Sequence, residues 1–276
     1  MIKFDSYPIY VNHPGRWEIV RQQQLDYFTA RGDYKMISWL DYTGKRLYEI
    51  TEDKVPGPEA VLFERAVIKL LRTIGATKIG KLLFDSLDPL QKYWIVPLDY
   101  LDDAECKCWA YTFPGTPKER GGIRIYFNPT DSNSAEKKWI SLDDVLFHEL
   151  VHAYRMGRVG YHVVNAAKSM NADGNAEEFL ALHMQNVYLA NRGSSRFYRT
   201  YKSQQWVSKN SAYQSLAGDA EALMAFRHFV DKEPLCTTVS RWMQPPDSFN
   251  PWRDHAVLER MYISASNLRI PRLPAF

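Results

Sequence analysis

The chain has 276 residues, a formal net charge of +3, 45% hydrophobic residues and 14% aromatic residues. That length can bury a sizeable core, and the composition excludes a disordered tail. The small charge, without a basic run, argues against a nucleic-acid partner, and no apolar stretch is long enough to span a bilayer.

The three cysteines, Cys106, Cys108 and Cys236, form no even framework, which argues against a disulfide-stapled secreted fold. Met1-Ile2-Lys3-Phe4-Asp5 lacks the charged-then-apolar layout of a cleaved leader. Synthesis in the cytosol is the expectation, with export by a leaderless route left open.

In chain order, Trp17 to Ala30 reads as a helix, and Tyr34 to Ile50 carries strand-like pieces around a turn at Tyr42 to Lys45. Val55-Pro56-Gly57-Pro58 is the clearest break, so residues 1–56 are expected to form an accessory region and 57–276 the main domain. Apolar residues then recur at helical spacing from Glu59 to Thr73 and again from Lys78 to Leu87, where Asp88-Pro89 stops the second helix. Tyr93 to Pro97 and Ile123 to Phe127 read as strands. A helix from Ser141 to about Gly157 follows, then one from Ala176 to Asn191 capped by Asn175 and ended by Gly193. Later helices are expected near Asp219 to Asp231 and Asp254 to Tyr262. Helices, a few strands, then more helices make an α+β plan.

The helix from Ser141 contains His148-Glu149-Leu150-Val151-His152, of the form H-E-x-x-H. Residues four apart share a helical face, so both histidines can grip one metal ion. Glu149 lies where a carboxylate can take a proton from a zinc-bound water. The chemistry implied is that of a zinc-dependent hydrolase, most often a peptidase. The competing structural reading is a helix carrying two solvated histidines.

A catalytic zinc usually takes three protein ligands. The extension H-E-x-x-H-x-x-G-x-x-H is excluded, because Arg155 and Arg158 stand at its glycine and histidine positions. Asp173 is a candidate third ligand but fits a turn before Asn175 better. Glu177 and Glu178 open an apolar helix, and adjacent acids there suggest that one turns inward. Glu178 is the favoured ligand; Glu177 is the alternative, or a brace. Both also suit a first helical turn with no metal at all. For oxyanion stabilisation, Tyr154, Tyr161, His162, Arg196, Tyr198 and Tyr201 are not separable. Strand Ile123 to Phe127 is a candidate rim for pairing with extended substrate, or an ordinary packed strand.

His148 to Arg155, HELVHAYR, resembles the motif of the bacterial effector zinc metallopeptidases classed as the M91 family. The strand Ile123 to Pro129 ahead of it and the Glu-Glu helix behind it are similar in layout, over roughly residues 75–200. The resemblance implies a zincin-like fold with an active-site helix on a small sheet. It further implies one Zn2+ held by His148 and His152, Glu149 as general base, and proteolysis of a protein target, often after delivery into another cell. The Glu-Phe-Leu-Ala run from Glu178 is similar to the glutamate-ligand helix of lethal-factor-like zincins, which implies Glu178 as third ligand. The expected partner is a protein or peptide substrate. An inactive zincin-like binding module and a zinc hydrolase of a non-peptide bond are the rival readings.

Overall fold

A computed structural model describes residues 2–11, 17–19, 48–50, 58–97, 110–114, 122–129, 141–160, 163–164, 167, 169–170, 174–199, 205–243 and 248–266. Among them the chain is α+β, with eight helices around one small mixed sheet. The main sheet has five strands. These are β1 (Ile2–Lys3) and β2 (Ile9–Val11), with β5 (Lys92–Pro97), β6 (Ala110–Pro114) and β7 (Gly122–Phe127), in the order β1-β2-β5-β7-β6. The three inner strands run parallel and both outer strands antiparallel.

The registers put Val11, Ile95, Ile125 and Thr112 in one cross-strand row. Ile9, Tyr93 and Ile123 form a second row two residues away, hence on the same face. All seven side chains are buried. The described N-terminal strands thus belong to the same sheet as the strands after residue 57, through the pairing of Ile9–Val11 with Tyr93–Ile95.

Two helices precede the inner strands. Helix α1 (Pro58–Gly75) buries Phe63, Val67, Leu71 and Ile74, while Leu62 of the apolar periodicity stays exposed. Helix α2 (Lys78–Asp85) starts at Thr77, whose hydroxyl accepts the Gly80 N–H at 3.0 Å.

Helix α3 (Leu142–Val159) carries the H-E-x-x-H motif and packs on β6 and β7. Gly157 permits its close approach to the sheet: a Cβ there would lie 2.3 Å from the Tyr93 hydroxyl. A short ribbon, β8 (Ser169–Met170) with β9 (Gly174–Asn175), leads into helix α4 (Ala176–Asn191). This helix is buried on almost every side, which explains its continuous apolar run. Gly193, at φ 78°, ends it. Phe147 and Tyr188 stack between α3 and α4 at 4.5 Å.

Ribbon β10 (Arg196–Tyr198) with β11 (Trp206–Ser208) follows. Helices α5 (Lys209–Ala217), α6 (Ala220–Lys232), α7 (Pro234–Ser240) and α8 (Pro251–Ser266) pack on one another, and Phe226 of α6 and Trp252 of α8 meet Phe179 of α4. Fully buried Trp252 sits among Phe179, Phe226 and Phe229 there.

Two sequence expectations change. Trp17–Ile19 is not helical: it forms β3, paired with β4 (Tyr48–Ile50), because cross-strand partners override the local helical pattern. Residues 20–30 lie outside the described residues, as does the break at residues 55–57. Strand Ile123 to Phe127 is interior, hydrogen-bonded on one side to β5 and on the other to β6, so it has no backbone edge to offer a substrate. Strand β6, helix α5 and helix α7 lack strong local signals and are found only in the structure.

Candidate metal centre

Helix α3 presents His148 and His152 one turn apart, on the side facing α4. Their Nε2 atoms are 3.0 Å from each other. Glu178 Oε2 lies 3.2 Å from His148 Nε2 and 3.4 Å from His152 Nε2. Both histidines are buried, and the Glu178 side chain is 23% exposed, so the group opens to solvent on the carboxylate side. Three ligand atoms so close together need a proton or a metal cation among them to offset the repulsion of their lone pairs. His148, His152 and Glu178 together could hold a metal ion.

The electrostatics agree with that geometry. Burial works against charge on His152, yet Glu178 beside it, with Glu149 and Glu177 further off, pushes its pKa up to about 9. Burial would raise the Glu178 carboxyl, but His152 and His148 hold it well below the usual carboxylate range. The shifts of His152 and Glu178 both mark this as a place that favours positive charge.

Glu178 and Glu177, neighbours in sequence, are separated in role by one helical step. Asn175 caps α4, its Oδ1 accepting the N–H groups of both at 2.9 Å. Glu177 then points to Arg155, which donates to it twice, at 3.0 Å from Nε and 2.7 Å from Nη2. Arg155 also donates to Glu233, which accepts a further hydrogen bond from Tyr154. Glu177 is thus a brace, and Glu178 alone of the two faces the histidines.

A second clasp closes the opposite end of the helix pair. Asp143 accepts hydrogen bonds from Tyr188 and Arg192 near the end of α4. With Asp143 matched to Tyr188 and Arg155 to Glu177, the helices run antiparallel, and the ligand set lies between the two clasps. Between them, Gln185 Oε1 lies 3.2 Å from His148 Nδ1.

Glu149 is half-buried next to the histidine pair. Its Oε2 accepts a 2.7 Å hydrogen bond from the hydroxyl of Thr112 on β6. Thr112 stands in register with Ile125, on the sheet face toward α3, which is why it reaches Glu149. Thr112 carries no signal in the sequence because β6 has no clear periodicity, and Gln185 carries none because nothing local marks an inward amide.

The other candidates have structural partners or lie elsewhere. Tyr154 is buried against Glu233, and Tyr198 is buried with its backbone paired to the Asn186 side chain at 2.8 and 2.9 Å. Arg196 is exposed on β10. Tyr161, His162, Asp173, Tyr201, Cys106 and Cys108 lie outside the described residues. Cys236 is buried and carries no disulfide. Among the described residues no helix is long and apolar enough to cross a membrane. Compared with known proteins, the chain matches no protein-family model, no curated protein and no solved structure.

Proposed function

We propose that the protein is a zinc-dependent metallopeptidase of zincin type, with His148, His152 and Glu178 as ligands and Glu149 as general base. The observation that carries this reading is the triangle of ligand atoms, with sides of 3.0, 3.2 and 3.4 Å. Four-coordinate zinc, with bonds of about 2.0–2.1 Å, spaces its ligands about 3.3 Å apart. Two imidazoles and one carboxylate are also a usual donor set for a catalytic zinc with one open position.

When bound, zinc supplies Lewis acidity toward water and toward a peptide carbonyl. The remaining work falls to the chain's own groups. Thr112 holds one oxygen of Glu149, which leaves Oε1 to take a proton from the attacking water. The same carboxyl returns that proton to the departing amine. Among the described residues strand β6 ends the main sheet, and it carries Thr112, so its outer edge is where an extended peptide chain can add. The rim role considered for Ile123 to Phe127 passes to Ala110–Pro114. The motif-level resemblance to effector metallopeptidases supports a protein as the substrate.

The test pairs metal content with cleavage. Wild-type protein is expected to hold about one Zn2+ per chain by elemental analysis and to cut members of a broad peptide library. Glu149→Gln should keep the zinc and lose cleavage by about 10²–10⁴-fold. His148→Ala should lose the zinc. Undiminished cleavage by Glu149→Gln would remove the proposed base. Zinc binding without any cleavage by the wild type would favour a binding module.

A further inference from the structure

Gln185 sits on α4, buried at 5% exposure, and contacts two groups of α3. Its Nε2 donates to the backbone carbonyl of Asp144 at 3.1 Å. Its Oε1 lies 3.2 Å from His148 Nδ1. A carbonyl oxygen can only accept, so the Asp144 contact decides which end of the amide faces which way. The amide nitrogen must point to Asp144, and the amide oxygen must point to His148. An amide oxygen also only accepts, so His148 Nδ1 must carry the proton. The proton of a neutral imidazole is then used up at Nδ1, and the Nε2 lone pair points at Glu178 and His152.

We infer that Gln185 is the positioning residue that holds His148 as its Nδ1–H tautomer and so aims a lone pair from Nε2 into the cation position. This role of Gln185 rests on the metal-centre reading for its purpose, though the tautomer itself does not require a metal. The anchor is a main-chain carbonyl in the first turn of α3, four residues before His148. The device is therefore rigid: helix α3 supplies both the ligand and the acceptor that orients the amide controlling it. A carboxylate in the place of Gln185 could accept from His148 but could not donate to Asp144. Only a side chain with one donor and one acceptor end completes the relay.

Groups that orient a ligating histidine typically change metal affinity by about 10–100-fold when removed. Two readouts on Gln185→Met and Gln185→Glu test the role. The first is the Zn2+ dissociation constant, measured by competition with a chromophoric chelator. The second is the 15N shift pair of the His148 ring in the metal-free protein, which reports the tautomer without any metal or activity. Gln185→Met is expected to bind Zn2+ about 10–100-fold more weakly and to lose the Nδ1–H form. Gln185→Glu keeps an acceptor and should keep that form.

A Gln185→Met protein with unchanged Zn2+ affinity and an unchanged Nδ1–H ring overturns the proposal. Should Gln185→Met fail to fold, the proposal still falls if wild type or Gln185→Glu shows the Nε2–H tautomer. Absence of Zn2+ binding by the wild type would sink the metal centre instead, and the ring shifts would decide the tautomer role on their own.

Discussion

His183 lies five residues beyond Glu178 and has the opposite character. It is 1% exposed, and neither ring nitrogen has a hydrogen-bond partner among the described residues. Phe179, Phe226 and Trp252 surround it, with ring centroids 4.4, 5.0 and 6.5 Å away. Burial alone pushes its pKa down to about 3. The folded chain therefore binds a proton there less readily than the unfolded chain, whose value is near 6.5. Stability from this site is fully present above about pH 6.5 and is lost as pH falls toward 3. His183→Leu, similar in volume and free of orphaned polar atoms, is expected to stabilise the protein at pH 7 by about 1–3 kcal/mol. The gap should widen by several kcal/mol on acidification. Urea melts of both proteins between pH 7 and 4 would check this, and a constant gap across that range would refute the assignment.

At the scale of elements, the two central helices are held in register by charge, not by apolar matching alone. Arg155 with Glu177 and Glu233 closes one end, and Asp143 with Tyr188 and Arg192 closes the other. Buried ion pairs are weak evidence for net stability, but breaking one strands its partner. Glu177→Ala is expected to destabilise the fold by about 3 kcal/mol, read from denaturant midpoints, because Arg155 stays buried with one acid fewer. Its Zn2+ stoichiometry should change little. Glu178→Ala should instead lose the ion, because it removes one of the three ligand atoms. If Glu177→Ala abolished metal binding as fully as Glu178→Ala, the division between brace and ligand would be wrong.

Across the whole molecule, the main sheet joins distant parts of the chain before the helices cover it. Strand β2, near the N-terminus, lies beside β5, with Ile9 and Val11 completely buried and Phe4 nearly so. Removing residues 1–12 would expose an edge of β5 and uncover those side chains' contacts. The expected loss is of the order of 5 kcal/mol, from burial worth about 1.5–3 kcal/mol per large apolar side chain. A truncated protein with an unchanged denaturation midpoint would show that the sheet does not need its first strands.

Local chemistry in the sequence was enough for the helices that matter most. The bounds of α4, Ala176–Asn191, follow from the Asn175 cap, an apolar run and Gly193. The pairing of His148 with His152 follows from the helical repeat, a short-range property. Glu177 and Glu178 both fit the same helix start, and the place of Arg155 across the interface separates them. Thr112 and Gln185 had no local signature, because a side chain's partner 37 residues away depends on sheet register and helix crossing. The same cause makes Ala110–Pro114, and not Ile123 to Phe127, the outer strand among the described residues: strand order is a property of long-range pairing, which no window of neighbouring residues encodes.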